Sequence, residues 1–475
     1  MWTGFCGVSK NLHNLPPGPS VWFALRNLWS LKELSVLQML LKLREQFGDV
    51  FSLKIGSQLV VVLCGHKMVE AALVDQTEDF ESRPNLPIVK KTNNSYGISF
   101  SKGERWKQIR RFALTTLRSF GMGKRSIEGR IQEEIGFLVE EFRKTQGSPF
   151  DPRVLLRCSV SNIICSMIFG ERFQYDDREF RALIHLIEEN IRQINSIWLQ
   201  LYNFFPGVMK FLPVANSFFE NYEEQKRCVS RMVQKHKDTL DPALPRDYID
   251  AFLIKMQEDS GNLNTEFHQK NLVVSVLDLL FAGTETVTST LRYSFLILLK
   301  YPHIVERIQD EIDQVVGQNR AVSMQDRSEM PYTDAVIHEL QRFIDVNPLG
   351  LPRSTTQDTE FAGYVIPEGS IVFPMLHSVL NDPIQFKAPE TFDPGHFLDE
   401  SGAFQKPDAF IPFSAGKRSC LGEGLARTEL FLYFTTILQN FVLTSPVPVE
   451  EIDFTPEYIG FGKAPRPHRL CFTPR

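Results

Sequence analysis

Two stretches, "VFSLKIG" (Val50–Gly56) and "LVVVLCG" (Leu59–Gly65), predict a pair of strands joined by a short turn. Beyond them apolar residues recur every three or four positions, the spacing of one helix face. This predicts helices over Arg105–Ser119, Ser126–Lys144, Arg153–Phe169, Glu179–Gln200 and Ser217–His236. A long one follows over His268–Leu299, then Pro302–Val316 and Pro331–Ile344. "DPALPRD" (Asp241–Asp247) reads as a loop. From Asn347 to Phe410 the chain is rich in proline and glycine, with short strands in "TEFAGYVIPEGSIVFPM". A last helix is expected over Leu421–Leu438. No repeat, low-complexity tract or linker divides the pattern. The expected fold is mainly α with a smaller β region. Residues 1–20 form a lead-in ending in the stiff "NLPPGPS" (Asn14–Ser20), and residues 21–475 a single domain.

Composition sharpens this only a little. The chain is 43% hydrophobic and 23% charged, as a globular protein with a sizeable core should be, and its 38 phenylalanines imply an aromatic interior. A net charge of −5 argues against general affinity for nucleic acid. Seven scattered cysteines, an odd number, argue against a disulfide framework. No segment reaches the roughly 18 consecutive apolar residues of a spanning helix. The N-terminal "MWTGFCGVSKNLHN" is too short and polar for a signal peptide. The expectation is a chain without an anchor helix and with weak, peripheral membrane association.

The chemistry centres on "PFSAGKRSCLG" (Pro412–Gly422). A lone cysteine is most often a small buried hydrophobe, but Cys420 has unusual neighbours. Gly416 and Gly422 leave room for a flat partner against the backbone. A helical pattern starts directly after the cysteine, so backbone N–H groups and the helix dipole favour a thiolate. Lys417 and Arg418 add positive charge. A nucleophilic role would require a histidine base, and no motif places one. Metal ligation suits the site better. A single protein ligand suggests iron in a macrocycle that supplies the other four.

Phe413-x-x-Gly416-x-Arg418-x-Cys420-x-Gly422 resembles the haem-binding loop of the cytochrome P450 superfamily. The resemblance implies a fold that holds haem between a long distal helix and a proximal cysteine loop. Cys420 would be the iron ligand, Phe413 would pack beside the sulfur, and Arg418 would pair with a haem propionate. "AGTET" (Ala282–Thr286) lies within the longest predicted helix. Its Ala-Gly pair reads equally as a close helix–helix contact, and its threonine as bonded to a carbonyl one turn back. The resemblance instead implies that Ala282 borders the haem and that Glu285 and Thr286 relay protons. "ELQR" places Glu339 and Arg342 at i,i+3, where side chains meet. In the family this pair locks onto a later residue, here His396, where many members carry arginine. The trio reads as structural, with a third contact that is weaker and pH-sensitive. Trp106 and Arg110 in "RWKQIR", and Arg353 in "GLPRSTT", match further propionate contacts.

Together with "LPPGP" and "MPYTDAVIHELQRF", these motifs span nearly the whole chain and are similar to the vertebrate microsomal family 2 monooxygenases. That implies haem b, O2 as co-substrate and electrons from NADPH through a flavoprotein reductase, with cytochrome b5 as a further partner. It implies the cytoplasmic face of the endoplasmic reticulum membrane. One oxygen atom would enter a small lipophilic substrate (a xenobiotic, fatty acid or steroid), and the other would leave as water. Family position marks Ser99, Phe100, Phe205, Phe281, Leu349 and Phe461 as candidate pocket walls, although plain core packing explains each phenylalanine as well. Asp278 would attract a basic amine or, as the preferred reading, accept backbone N–H bonds from an earlier loop. Seven cations and one acid between Lys102 and Lys124, with Arg125 and Lys417, suggest a docking face for an acidic flavodomain. The apolar "LYNFFPGVMKFLPV" (Leu201–Val214) suggests a loop that dips into a bilayer. Two rivals remain: a haem-thiolate isomerase or dehydratase acting on peroxides, and a non-catalytic haem sensor. The first tends to lack the acid–threonine pair, and the second has no use for a proton relay or docking face.

Overall fold

A computed structural model describes residues 14–19, 35–123 and 125–475. Most of the expected lead-in therefore lies outside the described residues, as do Lys124 and Cys6. The long helices are α1 (Val36–Phe47), α2 (Gly103–Ser119), α3 (Arg125–Lys144), α4 (Arg153–Ile168), α5 (Arg178–Ile194) and α6 (Ile197–Phe204). They continue with α7 (Asn216–Asp238), α8 (Tyr248–Glu258), α9 (Gln269–Leu298), α10 (Pro302–Val315), α11 (Pro331–Ile344) and α12 (Glu423–Asn440).

Helix α9 is the axis of the molecule. It packs along α4, α7 and α12, and its residues form much of the largest apolar cluster. Its length and hydropathy would suit a membrane span, yet 72% of its apolar window is buried inside the protein. It is a core helix.

The β part is small. Strands β1 (Val50–Ile55) and β2 (Gln58–Leu63) form the expected hairpin, with Val50 opposite Leu63. Next come β3 (Arg353–Ser354), β4 (Thr359–Phe361), β5 (Tyr364–Ile366) and β6 (Ile371–Pro374). The main sheet runs β1-β2-β6-β3, with β2 and β6 parallel and Val60 opposite Ile371. This crossover brings Arg353 into the same sheet as the N-terminal hairpin, one strand removed from it across β6, although most of the helical region lies between them in the chain. The C-terminal strands β7 (Phe441–Thr444), β8 (Pro456–Ile459), β9 (Lys463–Pro465) and β10 (Cys471–Pro474) form two ribbons, β7 with β10 and β8 with β9.

Four features depart from the sequence pattern. The helix expected over Glu179–Gln200 is two helices. Ser196 is extended and its hydroxyl accepts from the Leu199 N–H, capping a new start. Helix α1 escaped the periodicity although Ser35 and Gln38 form a reciprocal capping box. Helix α8 also escaped it; Asp247 caps it by accepting from the Asp250 N–H. The C-terminal ribbons carried too short a pattern to be read.

Candidate functional site: an arginine-lined cysteine site

The loop before α12 holds Cys420 by backbone bonds. The Cys420 N–H donates to the Phe413 carbonyl at 2.9 Å, and the Ser419 N–H to Gly416. Gly422 caps α12, so Cys420 sits two residues before a helix start. The thiol is accessible to solvent, yet it is deeply ringed by protein atoms. That ring pushes its acidity constant upward, against the N–H groups of Gly422 and Glu423 and the charge of Arg110, which favour the thiolate.

The two glycines of the loop differ. Gly416 has φ +71°, and a Cβ there would lie 1.7 Å from the Leu73 carbonyl oxygen. Its smallness serves a close chain crossing and a left-handed turn, which corrects its reading as space for a macrocycle. A Cβ on Gly422 would meet nothing within 4 Å. Phe413 turns its ring toward Arg427, whose guanidinium carbon lies 5.0 Å from the ring centre.

Four arginines surround this loop. Arg110, on α2, donates to the Ser419 carbonyl at 2.6 Å. Arg418 donates to the carbonyls of Glu81 and Ser101, and its guanidinium carbon lies 3.8 Å from the Trp106 ring centre. Arg353 lies 3.4 Å from the Ser414 hydroxyl. Arg83, which sequence reasoning missed, donates to the carbonyls of Ser99, Leu351 and Pro352. None of the four is ion-paired to a carboxylate among the described residues. Burial lowers the pKa of all four, and repulsion from neighbouring arginines adds to it for Arg83, Arg353 and Arg418. Arg83 falls to about 9 beside Arg110, Arg418 to about 8 beside Arg83 and Arg110, and Arg353 well below its ordinary value beside all three. Buried and without a partner are Nε1 of Trp106, Nε of Arg353 and Nη1 of Arg418. Like charges crowded together with orphaned donors are a setting that favours an anion. These residues fit a carboxylate-bearing iron macrocycle: the arginines and Trp106 would hold its carboxylates, and Cys420 would ligate the metal.

Helix α9 is buried along most of its length, but Phe281, Ala282 and Thr286 are exposed. They share one face, at i, i+1 and i+5. Thr286 donates to the Ala282 carbonyl at 2.8 Å, the back-bond the sequence left open. Gly283 faces α4; a Cβ there would lie 3.2 Å from Ile164. It serves helix packing, the alternative kept open above. Glu285 is turned from Thr286 into the protein. Its carboxylate meets Arg157 at 3.1 Å and accepts from Ser289 at 2.9 Å and from the Tyr458 hydroxyl at 3.3 Å. Arg157 in turn holds Glu188 at 2.6 Å. The acid that the sequence grouped with Thr286 is thus a member of a buried ion-pair network.

Asp278, also on α9, accepts from the N–H groups of Ile98 and Ser99 at 2.7 and 2.9 Å. It fixes the loop carrying Ser99 and Phe100. Burial pushes its acidity constant up to about 6 in spite of these bonds. Leu349 and Phe461 line an apolar cavity of about 250 Å³ together with Phe204, Phe373 and Asn195. Phe205 does not line it and packs on the Gly56 turn. Glu339 and Arg342 form a fully buried pair, 2.7 Å at each of two contacts, and Arg342 also donates to the carbonyls of Leu380, Pro389 and Thr391. His396 joins them, 3.2 Å from Glu339.

The basic segment is largely spent on internal contacts. Arg105 pairs with Glu266, Lys107 with Glu104, and Lys417 with Glu78 and Glu81. Arg111 and Arg118 are exposed and have no ion pair among the described residues.

A helix-rich fold with an accessible cysteine before a helix start, four arginines without carboxylate partners around its loop, and a long core helix exposing an alanine and a threonine is the pattern of the haem-thiolate class. The family model for cytochrome P450 matches residues 16–472, and the chain belongs to that family. It is 50% identical over 470 residues to cytochrome P450 2B2 of Rattus norvegicus, covering 99% of this chain and 96% of the relative. To cytochrome P450 2G1 of Oryctolagus cuniculus it is 51% identical over 462 residues, 97% and 94% of the two chains. The protein is a haem-thiolate monooxygenase of the microsomal family 2 type, with haem b as cofactor, O2 as co-substrate and NADPH-derived electrons delivered by a reductase. Its relatives are associated with the endoplasmic reticulum membrane.

Proposed function

We propose that Cys420, as thiolate, is the iron ligand, and that Trp106, Arg110, Arg353 and Arg418 bind the haem propionates, with Arg83 beside them. The observation that carries this is four arginines without carboxylate partners, Arg83, Arg353 and Arg418 buried and Arg110 half-buried, around the loop of one accessible cysteine. Bound haem supplies dioxygen activation, and the thiolate's electron density favours O–O cleavage. The chain's own residues place and screen. Phe413 and Gly422 shape the proximal loop. Ala282 and Phe281 border the distal side, and the Thr286 hydroxyl holds a proton there through its bond to the Ala282 carbonyl. Glu339, Arg342 and His396 brace the segment leading to the cysteine. The cavity lined by Leu349 and Phe461 takes a lipophilic substrate, a xenobiotic, fatty acid or steroid. Asp278 clamps the loop of Ser99 and Phe100, which do not line that cavity.

The reductase, and cytochrome b5 with it, would approach the face bearing Arg111 and Arg118. Contact with the cytoplasmic face of the endoplasmic reticulum membrane would come through the segment around Val208 and Phe211, which are 68% and 78% exposed. The test is the absorption spectrum of the reduced, CO-bound protein. A strongly red-shifted Soret band is expected in the wild type and none in Cys420→Ala. A wild type that binds no haem would refute the reading.

A further inference from the structure

The ribbon β8–β9 turns at Gly460-Phe461-Gly462, and its tip projects Phe461 into the apolar cavity. The tip is narrow, with the Gly460 N–H donating to the Gly462 carbonyl at 2.9 Å. It is held by Asn195, at the break between α5 and α6 and itself part of the cavity lining. Asn195 Oδ1 accepts from the Gly462 N–H at 3.1 Å, while its Nδ2 donates to the Ile191 carbonyl at 2.8 Å. Each end of the amide has one committed role, so the group has a single useful orientation. The approach is close: a Cβ on Gly460 would lie 2.6 Å from Asn195 Oδ1. One turn earlier on α5, Arg192 holds Glu457 at 2.8 Å, at the root of the same ribbon. Tyr458, next along β8, bonds Glu285 of α9. The ribbon is thereby fixed to two helices, while its tip has Asn195 as its side-chain hydrogen-bond partner.

We infer that Asn195 is a positioning residue that sets the substrate-size preference of the enzyme by fixing how far Phe461 enters the cavity. The inference rests on the haem-monooxygenase reading above and adds a determinant that no motif marks. Asn195 also lines the cavity, but its hold on Phe461 runs through the Gly462 backbone. Losing this bond lets the tip withdraw, which enlarges the cavity at the Phe461 wall without disturbing the cysteine loop or the arginines.

The test uses the purified, haem-loaded protein and 1-alkylimidazoles from methyl to dodecyl, with dissociation constants read from the Soret shift. In Asn195→Ala the preference should move toward longer chains, the ratio of longest to shortest changing by about three- to tenfold, the scale of one lost hydrogen bond. Asn195→Asp, which keeps an acceptor for Gly462, should stay nearer the wild type. Gly460→Ala, whose methyl group collides with Asn195, should shift the profile in the same direction as Asn195→Ala and keeps the test decisive if that variant folds poorly. An unchanged profile in both variants, or an equal loss at every chain length, would overturn the inference. The CO-bound spectrum of each protein separates this from failure of the haem reading, because that failure would abolish the red-shifted band in the wild type itself.

Discussion

The guanidinium of Arg418 lies over the ring of Trp106, 3.8 Å from its centre, and both side chains keep a buried nitrogen without a partner. Their contact orients two donors toward the same space, at the cost of crowding Arg418 against Arg83 and Arg110. The two states of the protein should therefore respond oppositely to Arg418→Leu. Haem should dissociate about tenfold faster or more, the scale of a lost charge-assisted hydrogen bond. The haem-free protein should be no less stable, because a like charge has gone. Haem transfer to apomyoglobin and thermal unfolding of the haem-free form measure the two. Slower haem loss would contradict the assignment.

Glu285 and Thr286 are neighbours with different partners, and mutation should separate their roles. Glu285→Gln breaks a buried pair with Arg157 and should destabilise the fold by about 3 kcal/mol, the lower end of the range for such breaks because Arg157 keeps Glu188. Thr286→Ala removes only a hydroxyl on an exposed face and should leave stability nearly unchanged. It should instead divert NADPH-derived electrons into hydrogen peroxide. Urea unfolding and the ratio of peroxide to NADPH consumed measure the two effects. A coupling defect confined to Glu285→Gln would reverse the assignment.

Asp278 gives a pH signature. Burial raises its folded acidity constant to about 6, above the roughly 3.9 of a free aspartate. The folded state therefore binds the proton more tightly than the unfolded state. This contribution to stability is fully present below about pH 4 and is lost as the pH rises toward 6. An amide in place of the carboxyl carries no charge at any of these pH values, so Asp278→Asn should flatten the melting temperature across that window. An identical slope in both proteins would remove Asp278 as its source.

His396 works at higher pH. Its Nδ1 faces Glu339 at 3.2 Å and its Nε2 faces the Lys387 carbonyl at 2.6 Å, two acceptors that together favour the doubly protonated ring. Burial opposes the charge, but the bond to Glu339 and its carboxylate outweigh burial and raise the acidity constant. The stabilisation is complete below about pH 6.5, the ordinary value for histidine, and is lost as the pH rises through the raised one. His396→Arg should remove this alkaline loss. Melting curves between pH 6 and 9 decide it, and an unaltered slope in the arginine variant would refute the account.

Much of the architecture was legible because helix periodicity is a local property. The long helix, the hairpin and the helix after Cys420 needed only residue spacing, and the cysteine loop needed only five residues within ten. The break at Asn195–Ser196 was invisible to periodicity because apolar residues continue through it; a serine hydroxyl and an asparagine amide decide it. Arg83 was missed because a lone arginine between serine and proline carries no pattern. Only the approach of Ser99, Leu351 and Pro352 gives it a place.

The class of chemistry is written locally in the chain: one thiol before a helix start, with cations and a threonine-bearing long helix, all set by neighbours within a few residues. Which charges are left for a cofactor and which are consumed is settled only in three dimensions. Glu285 and Thr286 are adjacent in the chain, yet a helix turns consecutive residues about 100° apart, so one is buried against Arg157 and the other exposed. Gly416 and Gly422 likewise look alike in sequence, and the Leu73 carbonyl makes only the first a matter of packing. These outcomes depend on contacts between distant segments, formed only when the chain closes on itself.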